Sequence, residues 1–347
     1  MLLNINNLST RIFKLVLKEK YGFVRQYTIN HPYKLLFFGS DNISFTSFQK
    51  VNQFRKTENY IDRLDLVITD TKSKNRTQIE KYAQEENIKT LLWPLDNLEA
   101  AKYDLGLIVA FGHLIKANLL NKFPLGMINV HPSLLPRWRG AAPIIHTLLN
   151  GDDVTGVTLM KIKADIFDVG EIISQCKVPI SQDIKLPELT EQLSNIGAEM
   201  LVDCLRTLPK SLKCAYPQSN ETVTYAKKIN KTISDVRWHE MTARDVYNLY
   251  RAIYSLYPLS TKFRDKHLKL FDAFIHNPDE MDASKPIGSL EYCDKTDAIR
   301  VLCKDKKYIY FRSLRIVGKR QITALDFYNG YIKNMPTKER QSLVVRN

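Results

Sequence analysis

The stretch Asn129-Val130-His131-Pro132-Ser133-Leu134-Leu135-Pro136-Arg137-Trp138-Arg139-Gly140 follows the apolar pair Met127-Ile128 and decides what kind of sheet this chain builds. Side chains alternate across a strand, so Asn129 and His131 share one face while Ile128 and Val130 pack on the other. Two prolines and Gly140 then interrupt regular structure. An amide and an imidazole are thereby expected at the carboxyl end of a strand, where open α/β sheets keep their sites.

The segments before it fit such a sheet. Leu35 to Phe38 runs into Gly39-Ser40-Asp41, Leu64 to Thr69 follows a polar helical stretch, and Asp104 to Ala110 follows the helix-like Thr77 to Glu86. Short apolar runs separated by helical spacers predict an α/β fold with a doubly wound, mainly parallel, Rossmann-like sheet. Neither the Gly-x-Gly-x-x-Gly spacing of a dinucleotide site nor a Gly-x-x-x-x-Gly-Lys phosphate loop is present.

Three pieces carry chemistry, each with a plainer reading beside it. His131 next to Pro132 fits a satisfied structural histidine as well as a reactive one. Asp168-Val169-Gly170, after Gly156-Val157-Thr158-Leu159-Met160, is either a turn between two strands or a loop carboxylate free to reach a neighbouring strand end. Ala110-Phe111-Gly112 is either a tight strand-to-helix turn or main chain presented to a ligand.

Taken together, Asn-x-His-x-Ser-Leu-Leu-Pro with Gly140, the Asp-x-Gly at Asp168 and Gly170, and Ala110-Phe111-Gly112 resemble the signature of the folate-dependent formyltransferases. The extension Arg137-Trp138-Arg139-Gly140-Ala141-Ala142-Pro143-Ile144 is similar to the branch of that family acting on aminoacylated tRNA. Val223 to Lys228 and Gln321 to Tyr331 resemble the family's entry into, and exit from, a carboxyl-terminal domain, so the likeness spans about residues 34 to 333.

The resemblance implies transfer of the formyl group of 10-formyltetrahydrofolate to the α-amine of methionine esterified to initiator tRNA. It implies catalytic roles for Asn129 on the formyl oxygen, His131 in polarising that oxygen and moving the proton, and Asp168 in orienting the imidazole. Folate is expected at Ala110, Phe111, Gly112, Ser133, Leu134, Leu135, Pro136 and Asp165. Formylation of a small amine, such as an amino sugar or glycinamide ribonucleotide, is a second reading. A catalytically silent RNA-binding relative is a third.

Charge places the nucleic acid. The 347 residues carry a net +14, but residues 35 to 223 hold 21 Lys and Arg against 22 Asp and Glu, whereas residues 224 to 347 hold 24 against 14. A basic carboxyl-terminal third, with runs near Thr261 to Phe274, Ile287 to Tyr292, Ala298 to Cys303 and Tyr308 to Val317 that read as strands, predicts a small β-barrel. The resemblance makes that barrel one of the oligonucleotide-binding type. Tyr292, Tyr308, Tyr310 and Phe311 suit either its core or base stacking. Lys72, Lys74, Arg76, Arg137, Arg139, Lys304, Lys306, Lys307, Lys319 and Arg320 are the expected tRNA contacts. The loop Thr71 to Arg76 is shorter than in bacterial relatives, which shifts the expected grip toward the carboxyl end.

Residues 1 to 32 carry Arg11, Lys14, Lys18, Lys20 and Arg25 against Glu19 alone, with Ile12, Phe13, Leu15, Val16 and Leu17 able to line a helix. That acid-poor amphipathic character fits a mitochondrial transit peptide, and hence the matrix, or else a basic tail. The expected organisation is a transit peptide over 1–32, a catalytic domain over 33–209, a linker over 210–223, a tRNA-binding domain over 224–335 and a tail over 336–347. Cys176, Cys204, Cys214, Cys293 and Cys303 form no Cys-x-x-Cys pair, so no metal is expected. A monomer without a membrane partner is expected.

Overall fold

In the computed structural model, residues 14–18, 24–28, 31–69, 76–264, 266–336 and 345–346 are described. The chain divides into two compact units, one of residues 1–141, 154–179 and 190–225, the other of 142–153, 180–189 and 226–347.

The first unit is built on a seven-stranded sheet. Its strands in chain order are β1 (Tyr33–Phe38), β2 (Ile61–Thr69), β3 (Thr90–Trp93), β4 (Leu105–Val109), β5 (Met127–His131), β6 (Val154–Lys161) and β7 (Ile172–Pro179). They lie side by side as β7-β6-β5-β4-β1-β2-β3. The five from β5 to β3 are parallel, and β6 and β7 close one edge antiparallel. The mainly parallel sheet expected from the apolar runs is therefore present, with β3 as a strand those runs did not reveal. Thr90–Trp93 is a four-residue edge strand whose residues alternate between exposed and half-buried, too short to stand out as an apolar run.

Chain order runs outward from β1 to β3 on one side and from β4 to β5 on the other. The sheet thus reverses direction between β1 and β4, and their carboxyl ends frame a switch-point crevice. Helix α1 (Asn42–Thr57) connects β1 to β2 and starts at a capping box in which Asp41 accepts the Ser44 N–H at 2.9 Å and Ser44 Oγ accepts the Asp41 N–H. Helix α2 (Gln78–Glu85) starts the same way, with the Thr77 N–H donating to Glu80 at 2.6 Å. Phe38, Val67, Ile108 and Met127 are buried in one core cluster, which fixes the strand ends relative to one another.

The second unit takes in helix α3 (Pro143–Asn150), helix α4 (Ala243–Ile253) and an antiparallel sheet. The seven-stranded sheet contains β8 (Leu259–Phe263), β9 (Lys266–Phe274), β10 (Leu290–Cys293), β11 (Ala298–Leu302) and β12 (Tyr308–Ile316), ordered β10-β11-β12-β9-β8, with Val345–Arg346 pairing on the far side of β8 and Ile322–Thr323 pairing with β12. The run expected as a single strand from Thr261 to Phe274 is two strands, because Arg264 turns the chain at φ +52° and Phe263 pairs with Lys266. Tyr308, Tyr310 and Phe311 are core residues, not stacking platforms. Tyr292 is half-buried and stacks on Tyr328 with ring centroids 4.9 Å apart. Arg251 is buried and satisfied by Asn248 and by the carbonyls of Ser181, Ile184 and Leu148.

Lys14–Lys18 and Val24–Thr28 pair as an antiparallel hairpin, where an amphipathic helix was expected over Ile12 to Leu17. The β-branched and aromatic residues Val16, Val24, Tyr27 and Thr28 favour extended backbone, and an amphipathic basic helix is stabilised mainly by the apolar surface it lies on. The rest of residues 1 to 30, together with Lys72 and Lys74, lies outside the described residues. No described helix is long and apolar enough to cross a membrane.

Candidate active site

The register of β5 places the motif. Ile108 pairs with Asn129 on the β4 side, and His131 pairs with Thr158 on the β6 side, so both polar residues stand at the carboxyl half of β5 beside the switch point. Asn129 is half-buried and His131 is 4% exposed. His131 Nε2 lies 2.9 Å from the Trp138 carbonyl oxygen. A carbonyl only accepts, so Nε2 carries the proton and donates.

His131 Nδ1 lies 3.6 Å from Asp168 Oδ1, with both groups almost fully buried. A neutral ring donating from Nε2 would turn a lone pair toward that carboxylate, whereas an imidazolium presents a second donor.

Asp168 arrives by a route no local pattern reveals. Lys161, at the end of β6, pairs with Ile128 near the start of β5, yet the connection over 162–171 returns Asp168 to His131 at the other end of that strand. Asp168 takes φ +54°, and its Oδ2 accepts the Gly140 N–H at 2.8 Å. Gly170 is required for close approach: a Cβ there would lie 1.7 Å from the Lys161 carbonyl oxygen. The turn and the reaching carboxylate are thus the same feature.

The loop after β5 is braced from β6 and β7. Thr158 Oγ1 donates to the Ser133 carbonyl at 2.6 Å and accepts the Leu135 N–H at 3.1 Å, while Gln175 donates to the Leu135 carbonyl at 2.9 Å. Ser133 is fully buried and donates its hydroxyl to the Arg137 carbonyl at 2.6 Å. Ser133 and Leu135 therefore frame the loop from inside, while Leu134 and Pro136 are half-buried. Thr158 and Gln175 escaped sequence reasoning, since polar residues scattered along two strands carry no signature.

At the end of β4, Ala110 and Gly112 both take positive φ, +47° and +73°, and both are exposed. Phe111 between them is buried edge-on against Phe38 and Trp93, with ring centroids 5.3 and 5.2 Å away. The aromatic ring anchors a turn whose main chain faces outward, and a Cβ at Gly112 would meet nothing within 4 Å. Asp165 is exposed, with its N–H bonded to the Ile115 carbonyl.

The basic residues are dispersed. The Arg137 guanidinium covers the Trp138 ring 4.4 Å from its centroid, and Arg139 donates from Nε and Nη2 to Gln218 Oε1 at 3.1 and 2.7 Å. Arg76 donates to Gln84. Lys304, Lys306 and Lys307 cluster in the turn before β12, whereas Lys319 and Arg320 follow its far end. A nine-residue strand separates the two groups by about 30 Å. The structure thus makes two basic ends out of five residues expected to act together. Among the described residues, no group of three His, Cys, Asp or Glu could hold a metal ion.

Residues 34–205 match the family model for formyl transferase, and residues 228–332 match that for the formyl transferase C-terminal domain. The chain is 38% identical over 319 residues to the mitochondrial methionyl-tRNA formyltransferase of Homo sapiens, covering 90% of this chain and 81% of that protein. Its counterpart in Bos taurus is 37% identical over 319 residues, covering 90% and 80%. The crystal structure of WlaRD, a sugar 3N-formyl transferase, superposes with a TM-score of 0.63 over 84% of this chain and 100% of that one. At 19% identity the latter is a likeness of fold.

Proposed function

The chain belongs to the formyltransferase family, and from that premise we propose that it formylates the α-amine of initiator methionyl-tRNA, with 10-formyltetrahydrofolate as donor, in the mitochondrial matrix. The observation that carries the chemistry is the 3.6 Å approach of Asp168 Oδ1 to His131 Nδ1, with Asn129 two residues earlier on the same strand face.

An amine attacking a formyl carbon passes through a tetrahedral oxyanion, so the site needs a donor where charge develops and a group to take the amine proton. Asn129 donates its amide to the formyl oxygen. His131 turns its Nε2–H from the Trp138 carbonyl to the formyl oxygen as charge develops there. When the tetrahedral intermediate collapses, the bond from the formyl carbon to N10 breaks, the proton given up by the amine passes to that nitrogen, and tetrahydrofolate leaves. Asp168 orients the ring and supports it electrostatically. The exposed main chain at Ala110 and Gly112, beside the switch point, suits the edge of a pterin. Leu134 and Pro136, half-buried in the braced loop, flank the same strand ends. No step calls for a metal.

The basic second unit takes the tRNA, with Arg137 beside the catalytic strand, and residues 1 to 32 direct import. The enzyme acts as a monomer. The deciding assay offers the full chain 10-formyltetrahydrofolate with charged initiator tRNA, with an amino-sugar nucleotide and with glycinamide ribonucleotide. Formylmethionyl-tRNA as the dominant product supports the reading, and transfer to either small amine alone overturns it.

A further inference from the structure

Gln218 lies in Tyr216-Pro217-Gln218-Ser219-Asn220, inside the polar stretch that composition alone makes a linker. Its four neighbours in that run are exposed while Gln218 itself is half-buried. The segment is fastened to the first unit on either side. Tyr216 exchanges two main-chain hydrogen bonds with Ile172 at 2.7 and 3.0 Å, and Thr224 Oγ1 accepts the Trp138 N–H at 2.9 Å.

The Gln218 amide uses both of its ends. Nε2 donates to the Asp168 carbonyl at 3.0 Å and to the Gly170 carbonyl at 2.9 Å, while Oε1 accepts both Arg139 bonds. Chemistry fixes the orientation, because reversing the amide would face oxygen to two carbonyls and NH2 to a guanidinium. A ring results: Arg139 holds Gln218, Gln218 holds the main chain of the Asp168 turn, and Gly140, next to Arg139, holds the Asp168 carboxylate. The backbone of Asp168 and Gly170 is thereby fixed by Gln218, which Arg139, at the end of the histidine motif, holds in turn.

We infer that Gln218 is a positioning residue for formyl transfer, acting through Asp168: its side-chain amide locks the strained Asp168 turn at the distance from which the carboxylate meets His131. The inference rests on the role proposed for Asp168. Arg139 is then part of the same brace, which gives it a task apart from tRNA.

A double-mutant cycle tests this. Gln218→Glu keeps length and the acceptor for Arg139 but removes both donors, and Gln218→Met keeps length alone, so either variant can complete the cycle if the other folds poorly. Each is measured alone and with Asp168→Asn, by single-turnover formyl transfer to charged initiator tRNA and by KM for each substrate. Each single variant should lower the transfer rate on the order of a hundredfold, the scale of an ångström-level misplacement, with both KM values little changed. In the Asp168→Asn background the same substitution should cost less than about twofold, because residues acting as one unit are not additive. An equal loss in both backgrounds, or a wild-type rate in either single variant, overturns the inference. Failure of the functional reading shows separately, as Asp168→Asn retaining the full rate.

Discussion

Gly140 donates its backbone N–H to Asp168 Oδ2 at 2.8 Å, leaving Oδ1 of the same carboxylate to face His131. The histidine and the residue that anchors its partner acid thus belong to one continuous stretch, nine residues apart. The braced loop between them sets the acid and the base together.

Asn129→Ala, His131→Ala and Asp168→Ala should each lower turnover by at least about a hundredfold, the usual loss for an oxyanion donor or a proton-transfer group. Steady-state formylation of charged initiator tRNA, with circular dichroism to confirm folding, checks each variant. Near-normal turnover in a folded variant removes that residue from the mechanism.

Much of this architecture is legible in the sequence because it follows from local rules. The alternation in Met127–His131, the helix-like stretch Thr77 to Glu86 and the apolar runs of β1, β2 and β4 each state their own geometry. What is not legible depends on long-range closure. Gln218 meets Asp168 from 50 residues away, and the return of the 162–171 connection to His131 is set by packing at Gly170. Charge counting identified the basic third of the chain but could not show that Lys304 and Lys319 fall at opposite ends of one strand.

Two glycines in the site should respond differently to alanine. Gly112 has φ +73° and no protein atom within 4 Å of an added Cβ, so Gly112→Ala costs the fold only backbone strain, roughly 1 kcal/mol, lowers the melting temperature by a few degrees, and raises KM for the folate without abolishing turnover. Gly170→Ala forces the turn away from the Lys161 carbonyl and should abolish activity along with Asp168 placement. Thermal melts and turnover on both variants check this. Equal effects would mean that the close approach at Gly170 is unimportant.

Neutralising Lys304, Lys306 and Lys307 in one variant, and Lys319 and Arg320 in another, should each weaken tRNA binding. The two losses should add, because sites about 30 Å apart share no contacts. Each variant should also flatten the dependence of tRNA affinity on salt in proportion to the phosphates it no longer meets, while folate affinity changes little. Unchanged salt slopes in both would place the grip elsewhere, with Lys72, Lys74, Arg76 and Arg137 the next residues to neutralise.

Deleting residues 1 to 32 should leave formylation unchanged and keep the protein in the cytosol, as expected of a segment removed before the enzyme works. Import assays with isolated mitochondria decide it. Uptake of the shortened chain would overturn the targeting role.

Acid should destabilise the second unit partly through Asp282. Its carboxylate accepts from the Ser284 N–H and hydroxyl, from Lys285 at 3.0 Å and from the Tyr308 hydroxyl at 2.9 Å. The Ser284 bonds first, then Lys285 and Tyr308, hold its pKa well below the usual carboxylate value near 4. Between the folded and unfolded values the unfolded chain binds the extra proton, so stability rises with pH in that window. The contribution is complete above the unfolded value and is lost as pH falls through the folded one. Denaturation midpoints from about pH 5 to pH 2 should therefore fall less steeply in Asp282→Asn than in the wild type, with the two curves offset but parallel above about pH 5. Parallel curves throughout would mean that Asp282 titrates alike in both states and that its three partners do not favour the charged form.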